Sequence, residues 1–165
     1  MKTIKLEQVE HNIKIGKECP YYEPNVKEDC LLEVDGEIIG FYIKDVTKYS
    51  EKLKQLIAIA TQYSTILGSR APKPHMRMPY PSITPVHREP KAQTFIKAMW
   101  GACLEAEIIV KKLTPHIYER QIELFEDVKK EWKFGNMYTS SISNFNIAAA
   151  FHRDTGNIVG TVNII

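Results

Sequence analysis

The 165-residue chain lacks the features of an exported or membrane protein. No stretch approaches the roughly eighteen uncharged apolar residues of a spanning helix, and residues 1–20 contain no apolar signal-peptide core. We therefore expect a cytoplasmic protein with no membrane partner. The three cysteines, Cys19, Cys30 and Cys103, include no CxxC pair. An odd number of cysteines without a signal peptide does not favour a disulfide framework, and we expect reduced, mostly buried thiols.

An excess of charge of one sign is also missing. The net charge is +2, so only the local distribution of charge can argue for a polyanionic partner. Hydrophobic content of 44% with 25% charged residues excludes a disordered or fibrous chain. The length suffices for one domain and is short for two, and the sequence predicts a single domain over residues 1–165.

The first half of the chain predicts a hairpin followed by a helix. Residues 31–46 are apolar runs on either side of Asp35-Gly36, a dipeptide that supplies the positive φ angles of a type I′ turn. From Ser50 to about Ala60 the apolar residues have helical spacing behind a serine N-cap.

Residues 68–91 contain six of the nine prolines, a density that predicts neither a helix nor a central strand. The segment has one acid, Glu89, against five basic residues: Arg70, Lys73, Arg77, Arg88 and Lys91. We expect a basic extended loop. Its cations could contact DNA phosphates, or the loop could be a solvated surface that covers the sheet.

The second half predicts two helices and then strands. Residues 92–112 form an amphipathic pattern, and Thr114-Pro115 then begins a second helix that continues to about Trp132. After Gly135 the only charged residues are Arg153 and Asp154, which predicts a buried sheet. We place its strands at about 138–143, 146–152 and 158–165. The order of elements indicates an α+β fold, with helices packed on one face of a mainly antiparallel sheet.

One residue separates His152 from Asp154, within "AAAFHRDTGN". A kinase catalytic loop is excluded, because it needs an asparagine five residues after the aspartate and a glycine-rich loop, and the sequence has neither. In a strand the two side chains share a face and supply two of the three ligands of a 2-His-1-carboxylate iron site. The same parity places Asn144, Asn146 and two alanines on that face, which leaves room for a ligand.

The segment "NFNIAAAFHRDTGN" resembles the metal-binding strand of the TET/JBP family of Fe(II)- and 2-oxoglutarate-dependent nucleic-acid base dioxygenases. The likeness is sharpest over residues 134–163, and the "DGEIIGFYI" hairpin is similar to the N-terminal part of short phage and bacterial members. The resemblance implies the first part of a double-stranded β-helix core. It also implies that His152 and Asp154 ligate iron, that Asn157 bonds the target base, and that Asn144 or Asn146 lies near 2-oxoglutarate.

The implied reaction is oxidation of the methyl group of 5-methylcytosine or thymine in DNA, on a base flipped out of the duplex. The family also uses a distal histidine and an arginine several strands later. Because the strand pattern is unfinished at Ile165, we expect the chain to be the N-terminal part of a longer enzyme that is inactive alone. Two alternatives stay open: a non-enzymatic α+β module that binds DNA or protein, and a 2-oxoglutarate oxygenase acting on another substrate.

Overall fold

A computed structural model of the chain describes residues 1–10, 12–60, 65–70, 82–144 and 149–152. The regular elements of this described part are six short strands and three α-helices. In chain order they are β1 (Lys2–Lys5), β2 (Cys30–Val34), β3 (Glu37–Tyr42), α1 (Glu51–Ala60), β4 (Thr65–Arg70), β5 (Ser82–Ile83), α2 (Gln93–Leu113), α3 (Pro115–Glu126) and β6 (Ser140–Ser143). This composition confirms the α+β class.

A mixed three-stranded sheet with the order β1-β2-β3 lies at the N-terminal end. Strands β2 and β3 pair antiparallel around Asp35 and Gly36, whose φ angles of 51° and 85° confirm the predicted turn. The register shifts by one residue after Leu32, which makes a bulge in the hairpin. Strand β1 pairs parallel with β2, a pairing that the sequence analysis did not predict.

Helix α1 confirms the predicted segment. Its N-terminus is capped by Ser50, whose hydroxyl oxygen accepts a bond from the Leu53 N–H at 3.0 Å. Leu53 is buried with Ala102 and Ile109 of α2. Partly buried side chains from the hairpin, the following turn and both helices complete this cluster: Phe41, Ile43, Val46, Tyr49, Leu56, Ile57 and Leu113.

Helices α2 and α3 meet at Thr114, close to the predicted junction. Helix α2 confirms the predicted amphipathic segment, although the side chain of Ile108 is 61% exposed. Helix α3 ends at Glu126 rather than near Trp132. The N–H of Val128 donates to the carbonyl of Phe125, three residues back, and a separate 3-10 turn covers Lys130–Trp132.

The second sheet corrects the expectation for residues 68–91. It has the order β5-β4-β6 with antiparallel pairing, and its central strand β4 continues to Arg70. The later part of the segment forms two 3-10 turns, Pro85–Arg88 and Pro90–Ala92, each with its proline at the first turn, where no N–H is needed. Of the predicted loop, residues 68–70 therefore belong to a strand and residues 85–88 and 90–91 to 3-10 turns, while residues 71–81 lie outside the described part.

The predicted strand 138–143 corresponds to β6, but that strand is not fully buried, because Ile142 is 59% exposed. The predicted strand 146–152 is not found over 149–152, which has no ladder pairing, and its first residues lie outside the described part. The predicted strand 158–165 lies outside it as well. A double-stranded β-helix core therefore stays a prediction.

The cysteines correct one further expectation. Cys30 is buried and Cys103 is partly buried, but Cys19 is exposed. All three are free thiols. Within the residues that the structure describes, no helix combines the length and apolarity needed to cross a bilayer.

Candidate metal and nucleic-acid site

The segment that ends at His152 is fixed to the N-terminal part of the chain by two backbone hydrogen bonds. The N–H of Gly16 donates to the Phe151 carbonyl at 2.8 Å, and the Phe151 N–H donates to the Lys17 carbonyl at 2.9 Å. Gly16 has a φ of 83°, a conformation that glycine adopts without the penalty of a side chain. Residues far apart in the sequence therefore set the position of His152.

The His152 ring is exposed, and its Nδ1 lies 2.7 Å from the carbonyl oxygen of Ala150. A carbonyl oxygen only accepts hydrogen bonds, so Nδ1 carries the proton in this contact. In the neutral ring the lone pair then belongs to Nε2. Histidines that ligate metals usually hold their other ring nitrogen in this way, against a carbonyl or carboxylate.

The described residues around His152 do not alternate between two faces as a strand would. Ala149–His152 is irregular, and Ala150 is exposed. The shared face that the alternation predicted for the ligands and alanines is therefore not formed by this stretch. The backbone contact with Ala150, rather than the pleat of a strand, orients the imidazole.

The other predicted site residues are separated from one another. Asn144 is exposed directly after β6, and Arg70 ends β4. Arg88 and Lys91 are exposed in the two successive 3-10 turns. The remaining predicted site residues lie outside the described part: Asn146, Asp154, Asn157, Lys73 and Arg77.

A third metal ligand is not brought to His152 by the described residues. Among them, no three histidine, cysteine or carboxylate side chains lie close enough together to hold a metal ion. His116 Nε2 lies 2.8 Å from the carbonyl oxygen of Ile38 in β3. The His87 ring packs edge-on against Phe134, and burial lowers its pKa. The imidazole of His152 is a ligand type that iron accepts, as do zinc, copper and nickel.

The N-terminal segment also forms an open cavity of about 620 Å³, which the sequence analysis missed. Its lining residues are Val9, Glu10, Asn12, Ile13 and Tyr22. Tyr21 and Tyr22 are both exposed, Tyr21 to 82%. The two adjacent tyrosines in an otherwise polar stretch were the sequence signal that could have indicated this cavity.

A cluster of polar side chains lies between α2 and the region of Tyr138 and Ser141. Burial raises the pKa of Cys103 to about 11, against a smaller opposing effect of its bond with Ser141. Burial also raises the pKa of Tyr138, with further contributions from Cys103 and Glu107. These groups stay protonated near neutral pH, so the cluster offers no thiolate nucleophile.

Glu107 is the buried carboxyl group of this cluster. Its Oε1 accepts a hydrogen bond from the Tyr118 hydroxyl at 3.3 Å. Within the described residues its Oε2 is buried with no hydrogen-bond partner. An unpaired buried oxygen costs free energy, so Glu107 is a local weakness of the packing.

Comparison of the chain with protein-family models, with curated proteins and with solved structures finds no match.

Proposed function

We propose that the chain carries part of the active site of an Fe(II)- and 2-oxoglutarate-dependent dioxygenase that oxidises the methyl group of a 5-methylpyrimidine in DNA. The observation that supports the proposal is the His152 ring, exposed and oriented by the Ala150 carbonyl so that Nε2 carries the lone pair of the neutral imidazole. With Asp154 two residues later, this histidine supplies an N,O donor pair of the kind that non-haem iron accepts.

In this proposal bound iron, with 2-oxoglutarate, supplies the oxidising chemistry. The chain's own residues bind and orient. His152 and Asp154 hold the metal, Asn157 donates or accepts a hydrogen bond at the base, and Asn144 and Asn146 lie toward the cosubstrate. The two backbone bonds from Gly16 and Lys17 keep the backbone before His152 in place, so that less entropy is lost when a ligand binds.

Anaerobic titration of the protein with Fe(II), followed by the ring resonances of its five histidines, tests the metal half of the proposal. We expect the paramagnetic ion to broaden the His152 resonances at the lowest concentration. Asp154→Asn should weaken this broadening at least about tenfold, since even residues that only support a metal ligand contribute 10- to 100-fold to affinity.

His116→Gln is the matched control, because His116 is also exposed and also has a ring nitrogen on a backbone carbonyl. It should leave the Fe(II) response of His152 unchanged. Equal broadening of all histidines, or an unchanged response in Asp154→Asn, would overturn the iron site.

The cavity beside Tyr21 and Tyr22 favours a second candidate, a non-enzymatic module that binds a partner through its N-terminal segment. This candidate predicts no selective Fe(II) broadening at His152. It also predicts that His152→Ala leaves partner binding intact while Tyr22→Ala weakens it, the reverse of the order expected for the dioxygenase.

A further inference from the structure

One buried ring joins three segments that are distant in the sequence. Phe134 is 1% exposed, and its ring centroid lies 6.0 Å from that of His87 and 5.1 Å from that of Trp100. Both contacts are edge-to-face, with interplanar angles of 83° and 74°. Trp100 nevertheless remains 40% exposed. The 3-10 turn after β5, the first half of α2 and the segment after α3 therefore meet at one aromatic centre.

A basic residue lies within three positions of each of these rings in the sequence. Arg88 follows His87, Lys97 precedes Trp100 by about one helical turn, and Lys133 precedes Phe134. The turn Lys130–Trp132, which directly follows Lys129, lies against β5, the strand that precedes the turn Pro85–Arg88. We name the following set the basic aromatic surface: Arg88, Lys97, Trp100, Lys129, Lys130 and Lys133.

Aromatic rings hold two of these cations in place. The Lys129 ammonium lies 4.7 Å from the centroid of Trp132, and the Lys133 ammonium lies 4.7 Å from the centroid of Phe125. A ring attracts an ammonium through its quadrupole but carries no net charge. The positive charge is therefore positioned without being neutralised.

Carboxylates are present in the same segments, at Glu89, Glu126, Asp127 and Glu131. The ion pairs found among the described residues, however, join other parts of the molecule: Lys5 with Glu33, Lys48 with Asp29, and Lys52 with Glu105. No cation of the basic aromatic surface forms one there. These carboxylates weaken the positive electrostatic potential at long range, but among the described residues none of them forms a contact ion pair with a cation of the basic aromatic surface.

We propose that the basic aromatic surface binds a nucleic-acid strand, with its cations on successive phosphates and Trp100 against an unstacked base. Ammonium and guanidinium groups next to an exposed aromatic ring form the combination that proteins use for single strands, since every base offers a π-face and every nucleotide a phosphate. The surface deepens the proposed function by giving the DNA substrate a docking face formed by α2 and the segment after α3. The binding of a nucleic-acid strand to this surface rests on the proposed function only for the identity of the strand as DNA.

Fluorescence anisotropy with a labelled single-stranded oligonucleotide of about 15 nucleotides, titrated at several salt concentrations, tests the surface. The slope of log affinity against log salt is negative, and its magnitude should decrease by about 0.7 for each phosphate contact removed from a single strand. The double variant Lys129→Gln/Lys130→Gln should therefore decrease the magnitude of the slope by about 1.4.

Lys111→Gln/Lys112→Gln is the matched control. These are also adjacent lysines, both held over tyrosine rings, but they lie at the other end of α2. We expect the control to keep the wild-type slope. An equal loss in both double variants, or no loss in either, would overturn the proposal.

Trp100 provides an independent readout. In Trp132→Phe, Trp100 is the remaining tryptophan, and the oligonucleotide should quench its fluorescence. Polyglutamate should leave this fluorescence unchanged, and quenching by polyglutamate to the same extent would contradict a base contact. Failure of the surface would leave selective Fe(II) broadening at His152 intact, whereas failure of the iron site would leave the salt slope intact.

Discussion

Replacing Gly135 by alanine should destabilise the protein more than the same change at any other glycine with positive φ among the described residues. Gly135 is buried with a φ of 79°, and an added Cβ would lie 3.2 Å from the Cβ of Cys103. The left-handed conformation costs an L-residue about 1–2 kcal/mol, and overpacking against an atom fixed to the α2 backbone adds about 1–3 kcal/mol. We expect a loss of about 2–5 kcal/mol in the free energy of unfolding, measured by urea denaturation.

Gly36→Ala separates the two contributions. Gly36 has a φ of 85° but nothing within 4 Å of an added Cβ, so it carries the conformational cost without the contact. The entropy that alanine removes from the unfolded chain is common to both variants and cancels in their difference. A chain of this size should show a difference in Tm of about 2–10 °C between the variants, with Gly135→Ala lower. Equal midpoints would refute the close packing of the Gly135 turn against α2.

Three further changes test other parts of the structure. At pH 8 a pKa of about 11 leaves only about 0.1% of Cys103 as thiolate, so mass spectrometry should find iodoacetamide on exposed Cys19 long before Cys103; comparable rates would contradict the burial. Glu107→Leu should raise the free energy of unfolding by about 1 kcal/mol, because the unpaired oxygen costs about 1–3 kcal/mol and the bond from Tyr118 returns about 1 kcal/mol; a decrease of that size would count against it. The hydrogen bond from the Lys44 N–H and the contact with Lys48 lower the pKa of Asp29. The stabilisation of the fold by this carboxylate is therefore present above the unfolded pKa of about 3.9 and is lost as pH falls through the folded value. Asp29→Asn should flatten the dependence of the unfolding free energy on pH in that acidic range and leave it unchanged above about pH 5.

Local chemistry made parts of the fold predictable from the sequence. The Asp35-Gly36 turn follows from the two positive φ angles that the dipeptide tolerates, and α1 follows from Ser50, whose oxygen satisfies an N–H that the helix leaves unpaired. The start of α3 follows in the same way from Pro115 at its first position. Each of these signals depends only on residues close in the sequence.

Pairing between distant segments was not predictable. Strand β1 is four residues long and mostly exposed, and it forms because β2 offers it a parallel edge. Strand β4 enters the proline-rich segment through pairing with two distant strands, β6 at Gly68 and β5 at Ser69 and Arg70. For the candidate site, the H-x-D spacing identified His152, but the spacing could not reveal the Ala150 carbonyl that orients the ring or the contact with Gly16. The contacts of Phe134 with His87 and of the turn Lys130–Trp132 with β5 likewise depend on tertiary packing.

The backbone hydrogen bonds of Phe151 with Gly16 and Lys17 also determine when this part of the structure can form during synthesis. The β1-β2-β3 sheet and the helix pair can form while the ribosome is still translating, but Gly16 must wait for Phe151 to emerge, on the order of 10–30 seconds at ordinary elongation rates. During that interval the segment around Gly16 lacks the contact that holds it in the finished protein. The surroundings of His152 can thus be completed only after the residues that form the sheet and the helices have been synthesised.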